Sequence, residues 1–388
     1  MPLIYLVAGE ASGDVLGARL IAAIRAQRPG AEFAGVGGPR MAEQGLGSLY
    51  PMADLAVMGI VEILPRVRLL RRRLGETLAD IERLRPDVLV TIDSPAFTTR
   101  ILAAMAKLGV SRVHYVAPQV WAWRANRVRR YPGLWDKLLC LLPFEPAWFA
   151  QHNLSATFVG HPVLESGAGG GDGTRFRQAH GLDPRQPVLI LMPGSRRSEA
   201  ARLLPVFGAA LKRLMLHEPS LRPVLPVSPS VASAVRRAAA TWPISPVIVT
   251  ELADKHDAYA AASAALTKSG TSTLELALAG VPMAVTYRVN PLSAAMARRL
   301  IRVPHVAMLN LLAGRAVVPE LLQEECTAET LSRHALDLLR GGAAATAQRD
   351  AFPGILDSLR PPEGAPSDAA AREVLDVMDQ ARRQRPAA

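Results

Sequence analysis

The sequence predicts an α/β fold built from two Rossmann-like, doubly wound domains that face each other across a cleft. Short β-branched runs alternate with longer helical patterns, which is typical of βα units and parallel sheets. These runs form two series, and the Gly-rich stretch ESGAGGGDGT lies between them. The chain has 388 residues, enough for two or three domains of roughly 100–200 residues each.

The first series predicts a domain over residues 1–164. Its strands are expected at 3–8, 88–93, 112–117, 137–142 and 156–160. The glycines of 165–174 predict a linker after this domain.

The second series predicts a domain over residues 175–345. Its strands are expected at 187–192, 222–227, 246–250, 264–268 and 282–287. Residues 346–388 are typical of a helical tail, which we expect to pack back on the first domain. Because doubly wound sheets bind ligands outside the carboxyl ends of their strands, the cleft is the expected site.

The composition limits the possible classes of function but does not identify one of them. Apolar residues make up 49% of the chain, so a sizeable core can form. The formal net charge of +11 favours nucleic acid, an anionic membrane surface or a phosphorylated substrate as partner. Cys140 and Cys326 match no metal or redox spacing. Neither a secretory signal nor a ~20-residue apolar span is evident, which favours a cytoplasmic protein.

Carboxylates follow two strands of the first domain. The stretch YLVAGEASGDVLGARL places Glu10, Ser12 and Asp14 at one strand end, and TIDSPAF places Asp93 at another. Asp93 stands where a general base belongs. The alternatives are an ordinary βα turn for the first stretch, with Asp14 near a helix start, and a cap or structural hydrogen bond for Asp93.

Two turns of the second domain suit a diphosphate. In LMPGSRRSE, Ser195 and Arg196 follow the first strand, and Arg offers a planar fork of donors. In SGTSTLELAL, small residues open a helix whose N–H groups can hold a phosphate. Ser272 and Glu275 also fit the S-x-x-E capping box, so capping is the competing interpretation.

Two basic segments of the first domain carry apolar or aromatic residues. LAVMGIVEILPRVRLLRRRL has an apolar stripe next to Arg71, Arg72 and Arg73, which suits an interfacial membrane contact or a core helix with a solvated face. In WAWRANRVRR, Trp121 and Trp123 precede arginines. Such a mixture also suits a membrane contact. It could bind single-stranded nucleic acid as well, but no nucleic-acid-binding module accompanies it.

Eight stretches in order resemble the lipid-A-disaccharide synthase family, which comprises inverting glycosyltransferases of the GT-B fold. The resemblance runs over nearly the whole chain, and the stretches are GEASGD (9–14), VGGPRM (36–41), VMGIVEIL (57–64), VAPQVWAWR (116–124), GHP (160–162), PGSR (193–196), SGTSTLELAL (269–278) and PELLQ (319–323).

The resemblance implies a reaction and its partners. UDP-2,3-diacylglucosamine would donate its sugar to 2,3-diacylglucosamine 1-phosphate, giving the β-1′,6-linked disaccharide phosphate and UDP. The enzyme would work without cofactor or metal, peripherally bound to the anionic cytoplasmic face of the inner membrane. No nucleic-acid partner is expected, and a homodimer with exchanged C-terminal segments is implied.

The resemblance also implies residue roles. Asp93 matches the expected catalytic base, with Glu10 as the alternative. Expected UDP-sugar-binding residues are Gly194, Ser195, Arg196, Ser269, Gly270, Thr271, Thr273, Glu275, Asn310, Glu320 and Gln323. Expected acceptor or membrane residues are Ser12, Asp14, Met58, Arg71, Arg72, Arg73, Trp121 and Trp123.

The chain departs from the family pattern at two places. Ala96 and Thr98 stand where the family usually has Asp and Asn, and Met308-Leu309 stands where Leu-Pro is usual. Two other function classes remain: a UDP-sugar 2-epimerase of the same fold, and a basic nucleic-acid-binding protein whose affinity falls steeply with salt.

Overall fold

The computed structural model describes residues 1–55, 60–123, 125–290, 294 and 303–384. The chain forms two compact units, one of Met1–Pro162 with Leu359–Ala388, the other of Val163–Ser358. It therefore passes from one unit to the other twice.

The first unit contains a six-stranded parallel sheet in the order β2-β1-β3-β4-β5-β6. The strands are β1 (Leu3–Ala8), β2 (Glu32–Val36), β3 (Val88–Ile92), β4 (Arg112–Tyr115), β5 (Lys137–Cys140) and β6 (Ala156–Phe158). Five of them were predicted. The edge strand β2 was missed because EFAGV has few β-branched residues.

Helices cover both faces of this sheet. They are α1 (Ala11–Gln27), α2 (Pro39–Glu43), α3 (Ile60–Leu84), α4 (Pro95–Ala106), α5 (Val120–Trp123) and α6 (Glu145–Ala150), with 3₁₀ turns at Met52–Asp54 and Ala125–Arg130. Along β1, Ile4 and Leu6 pack in one core, whereas Tyr5 and Val7 pack in the core on the opposite face. Such burial on both faces explains the continuous apolar run LIYLVA.

The second unit repeats this architecture, with strand order β12-β11-β10-β7-β8-β9, all parallel. The strands are β7 (Val188–Met192), β8 (Arg222–Pro226), β9 (Val247–Val249), β10 (Ala264–Lys268), β11 (Met283–Tyr287) and β12 (Glu320–Leu322). The edge strand β12 was not predicted, because three residues carry no periodic signal.

The helices of this unit are α7 (Gly173–Ala179), α8 (Arg197–Leu214), α9 (Pro229–Ala239), α10 (Leu252–Ala261), α11 (Ser272–Leu278), α12 (Met308–Ala313), α13 (Ala328–Leu339) and α14 (Ala343–Asp357). Short 3₁₀ turns lie at Pro162–Glu165, Ala168–Gly170 and Gln323–Glu325.

The Gly-rich stretch 165–174 packs within the second unit. A Cβ on Gly171 would overlap the carbonyl oxygen of His256, and one on Gly173 would lie 2.7 Å from that of Ala260. Asp172 caps α7 by accepting hydrogen bonds from the next turn. These glycines therefore permit close backbone approach to α10.

The last described helix, α15 (Pro366–Gln384), returns to the first unit. It packs against α1 and buries Ala370, Val374 and Met378 in the core. An ion pair of 2.9 Å joins Arg382 to Asp87 beside β3. Among the described residues, no helix is long and apolar enough to cross a membrane.

Candidate active site

Each sheet has a point at which the direction of strand addition reverses. That point lies between β1 and β3 in the first unit and between β7 and β10 in the second. Open parallel sheets bind ligands outside the carboxyl ends of the strands at such points. The segments that leave these strand ends carry Glu10 and Asp93 in one unit, and Ser195 and Ser269 in the other.

A cavity of about 840 Å³ adjoins the carboxyl ends of β3 and β4. We call it the Asp93 pocket. It is lined by Asp93, Ala96 and Arg100 from the β3–α4 region, and by Val116, Gln119, Trp123, Arg127, Arg130 and Tyr131 from the segment after β4. Of the residues predicted for this unit, Asp93 and Trp123 are brought together here.

The backbone at this strand edge is strained. Asp93, Ser94 and Val116 have φ values of 50°, 47° and 79°. Non-glycine residues rarely adopt this left-handed region, least of all a β-branched one, and each such residue costs about 1–3 kcal/mol. Thr98 supports the turn, because its hydroxyl donates to the Asp93 carbonyl over 2.8 Å. Gly9 leaves room for the side chain of Ser94, since a Cβ on Gly9 would lie 2.6 Å from Ser94 Oγ.

Burial raises the pKa of the Asp93 carboxyl above its ordinary value of 3.8, and a backbone hydrogen bond from Ser94 opposes the rise. A carboxylate with a raised pKa accepts a proton more readily than an ordinary aspartate. The geometry therefore suits Asp93 to act as a base on a ligand in the pocket.

Asp14, which was predicted to contact the acceptor, forms hydrogen bonds to the backbone within its own unit. One carboxylate oxygen accepts from the N–H groups of Gly38 and Met41, over 2.8 and 3.0 Å, and the other accepts from Arg40 N–H. The side chain is buried and caps the first turn of α2. Ser12 is exposed on the first turn of α1.

Trp121 is fixed by a buried carboxylate. Its Nε1–H donates to Glu145 Oε1 over 3.0 Å, while Glu145 Oε2 accepts from the N–H groups of Leu141 and Leu142. Burial raises the pKa of Glu145 to about 7, against the effect of these bonds. Trp121 thus anchors α5, whereas Trp123 is 42% exposed at the Asp93 pocket.

Two of the three arginines expected at the acceptor or membrane, Arg72 and Arg73, form ion pairs. Arg73 pairs with Asp54 and Glu76, each over 2.6 Å, and lies 4.7 Å from the centre of the Tyr50 ring. Arg72 pairs with Glu76 over 2.7 Å. Arg72 and Arg73 are thus paired with carboxylates, whereas Arg71 is exposed. Met58, expected in the same group, lies outside the described residues.

The second unit has a cavity of about 450 Å³ at its own strand edge. We call it the Lys268 pocket. Its lining includes the predicted Gly194, Ser195, Ser269, Gly270 and Thr271, together with Lys255, Lys268 and Ser272. Gly194 has φ 100°, and a Cβ there would lie 2.5 Å from Glu199 Oε2, so only glycine suits this turn.

A buried carboxylate organises the cations beside this pocket. Glu199 Oε1 accepts from Arg196 over 3.1 Å and from Lys268 over 3.2 Å. The side chain of Arg196 is 52% exposed. Lys268 was not predicted, although it ends β10 directly before SGT and thus satisfies the strand-end criterion that identified Asp93.

Glu275 lies on α11, about one helical turn after Thr271. Its Oε2 contacts Lys255 Nζ over 2.7 Å and accepts from the Tyr259 hydroxyl over 3.2 Å. The N-cap of α11 is Thr271, without a side-chain capping bond. The capping-box interpretation is therefore wrong.

Asn310 and Glu320 hold a loop together rather than lining the Lys268 pocket. Asn310 is buried and accepts from the N–H groups of Val317 and Val318, while its amide donates to Val318 O and Glu320. These bonds fill its capacity. Glu320 also accepts from Ala307 N–H at the start of α12.

Thr273 and Gln323 likewise bond within the unit. The Thr273 hydroxyl is buried and donates to Gly270 O over 2.8 Å. Gln323 has φ 47°, and its Oε1 accepts from Val289 N–H over 3.3 Å. Across the described part of the chain, no group of three or more His, Cys, Asp or Glu is arranged to hold a metal ion.

Comparison with known proteins identifies relatives along the whole chain. Residues 4–374 match the family described as lipid-A-disaccharide synthetase. The chain is 60% identical over 378 residues to the lipid-A-disaccharide synthase of Gluconobacter oxydans strain 621H, covering 97% of this chain and 91% of that protein.

Two solved structures share the architecture at low sequence identity. The S. aureus MnaA–UDP structure gives a TM-score of 0.69 at 13% identity, covering 100% of this chain and 99% of that one. The calicheamicin glycosyltransferase CalG4 gives 0.58 at 17% identity, covering 98% and 99%. These likenesses confirm the predicted two-domain α/β fold of the GT-B class.

Proposed function

The chain belongs to the lipid-A-disaccharide synthase family of glycosyltransferases, and from this membership we propose that it transfers 2,3-diacylglucosamine from UDP-2,3-diacylglucosamine to 2,3-diacylglucosamine 1-phosphate. The acceptor's 6-hydroxyl oxygen bonds to the anomeric carbon of the donor with inversion, and UDP leaves. The family match over residues 4–374 carries this proposal.

Asp93 takes the proton of the 6-hydroxyl as it attacks. Three features support this role: its place at the switch point, its pocket of about 840 Å³, and burial that raises its pKa. A positioned base of this kind contributes about 10²–10⁴-fold to a rate. Glu10, at the adjoining strand end, is the alternative base.

The Lys268 pocket takes the UDP diphosphate. Lys255 and Lys268 line it, the N–H groups of the turn 269–272 border it, and Arg196 shares Glu199 with Lys268. Fixed cations and dipoles stabilise the negative charge that grows on the departing diphosphate. The S. aureus MnaA structure, which shares this fold, contains UDP.

Glu275 binds the ribose hydroxyls of UDP. Its ion pair with Lys255 and its hydrogen bond from Tyr259 both use Oε2. Oε1 forms no hydrogen bond within the described part of the chain, so it can accept from a hydroxyl. Lys255 then both orients Glu275 and borders the diphosphate.

Both lipid substrates require access to a membrane, and we place the protein peripherally on the anionic cytoplasmic face of the inner membrane. Exposed Arg71 on α3 contributes to this contact. Homodimerisation by exchange of C-terminal segments would require α15 to leave α1 for the same surface of a partner.

The deciding experiment measures UDP release by purified protein in detergent from UDP-2,3-diacylglucosamine, with and without 2,3-diacylglucosamine 1-phosphate. We expect acceptor-dependent release and a disaccharide phosphate identified by mass. Folded protein that releases no UDP across several acyl-chain lengths would reject the proposal.

A further inference from the structure

The Asp93 pocket has a strongly basic wall. Arg100 extends from α4, one turn after the Asp93 turn, while Arg127 and Arg130 come from the 3₁₀ turn Ala125–Arg130. Resting on the proposed function, we propose that Arg100, Arg127 and Arg130 bind the phosphate monoester of the sugar 1-phosphate acceptor.

These three arginines differ from others in the same unit. Within the described part of the chain, none of their side chains forms a salt bridge or a hydrogen bond, whereas Arg73 and Arg382 each pair with a carboxylate. Unneutralised charge of one sign on a concave surface raises the local concentration of counter-ions. The pocket is therefore arranged to attract an anion.

The chemistry of the guanidinium selects the anion. Its planar fork matches phosphate oxygens in bidentate fashion, and charge-assisted bonds of this kind are about twice as strong as neutral ones. A phosphate monoester carries nearly two negative charges near neutral pH. A volume of about 840 Å³ falls in the range of small-molecule sites, so a sugar headgroup and its phosphate can enter.

The surrounding structure holds this wall in place. Val116 lies on the wall with its strained φ of 79°, and buried Tyr131 closes the 3₁₀ turn by donating its N–H to Val128 O. Strain of this kind persists only where neighbouring contacts fix it, and it concentrates at functional sites. A phosphate bound here would lie in the same pocket as Asp93. Its binding would therefore position the acceptor for deprotonation by Asp93.

The test uses Arg127→Gln, Arg130→Gln and Arg100→Gln in the full-length protein. Arg129→Gln is the matched control, because Arg129 is exposed on the same 3₁₀ turn but does not line the pocket. Two acceptors are compared, 2,3-diacylglucosamine 1-phosphate and 2,3-diacylglucosamine without phosphate. Direct binding of each lipid is measured in detergent without UDP-sugar, alongside kcat and KM.

We expect each pocket variant to weaken binding of the phosphorylated acceptor about 10- to 100-fold, from the loss of one charge-assisted contact. KM for that acceptor rises, and binding of the unphosphorylated lipid and of UDP stays within about twofold. Arg130→Lys, which keeps the charge but loses the fork, falls between wild type and Arg130→Gln. Arg129→Gln matches wild type.

Equal losses on the two acceptors would overturn the inference. If binding to phosphatidylglycerol vesicles falls while the preference for the phosphorylated acceptor is kept, the arginines serve a membrane headgroup instead, and the inference also fails. Arginine-dependent binding of the phosphorylated lipid without product formation would keep the phosphate site and reject the proposed reaction.

Discussion

Arg73 of α3 and the arginines of the Asp93 pocket look alike in sequence but have opposite surroundings. Arg73 is only 18% exposed and holds Asp54 and Glu76. Arg127 and Arg130 are exposed and form no salt bridge within the described residues. A run of arginines therefore indicates charge, while the presence or absence of partners distinguishes a structural cation from one available to a ligand.

Asp93 shares its pocket with arginines that form no ion pair among the described residues, whereas Asp54 and Glu76 are paired with Arg73. The largest expected effect therefore concerns Asp93. Asp93→Asn is expected to lower kcat about 10²–10⁴-fold, because the amide cannot accept the proton. UDP affinity, measured by titration, should stay unchanged. In wild type, the raised pKa places the acidic limb of the pH–rate profile above pH 3.8, and activity falls as the pH drops through it. Near-normal turnover of the variant would transfer the role to Glu10.

Glu145 tests how the arginine-bearing side of the Asp93 pocket is held in place, because it anchors α5 through Trp121. Its pKa is about 7 in the folded protein against 4.5 unfolded, so the folded state retains a proton that the unfolded chain has released. The free energy of unfolding should therefore fall as pH rises from about 4.5 to 7, by up to roughly 3 kcal/mol. Denaturant unfolding of Glu145→Gln across this range should lack that component. An identical slope in both proteins would contradict the assignment.

Thermal unfolding separates the two arginine groups directly. Arg73→Gln should lower Tm by about 2–4 °C, because Asp54 and Glu76 lose their partner. Arg127→Gln should leave Tm within about 1 °C, since surface changes without partners are nearly neutral. A larger loss for Arg127→Gln would break the distinction.

The smallest expected effect concerns α3 and membranes. Arg71→Ser should weaken binding to phosphatidylglycerol vesicles about fivefold at low salt, the contribution of one basic residue near an anionic surface. Arg72→Ser serves as the matched comparison, because Arg72 is already paired with Glu76. Vesicle sedimentation of both variants gives the ratio. Equal losses would mean that the ion pair does not withdraw Arg72 from the surface.

Much of the fold follows from the sequence because buried parallel strands are continuous apolar runs, as LIYLVA and VLILM illustrate. Residues directly after those strands, such as Asp93 and Ser269, could be placed for the same reason. Edge strands such as Glu320–Leu322 could not, because their short length gives no pattern.

The rest of the site depends on contacts between segments far apart in sequence. Asp14 was assigned to a ligand, yet its carboxylate meets backbone N–H groups some two dozen residues away. Arg100 was overlooked because only tertiary packing decides which face of α4 borders the cavity. The position of a polar side chain at a strand end can thus be predicted from the sequence. Whether it binds a ligand or another part of the protein cannot.

The return of α15 to the first unit has a consequence for synthesis on the ribosome. The second unit, Val163–Ser358, is uninterrupted and is complete before α15 emerges. The first sheet is made earlier, yet the face that receives Val374 and Met378 lacks these side chains until α15 is added. Nascent chains therefore carry an exposed apolar surface until α15 is made, a state prone to aggregation and chaperone binding.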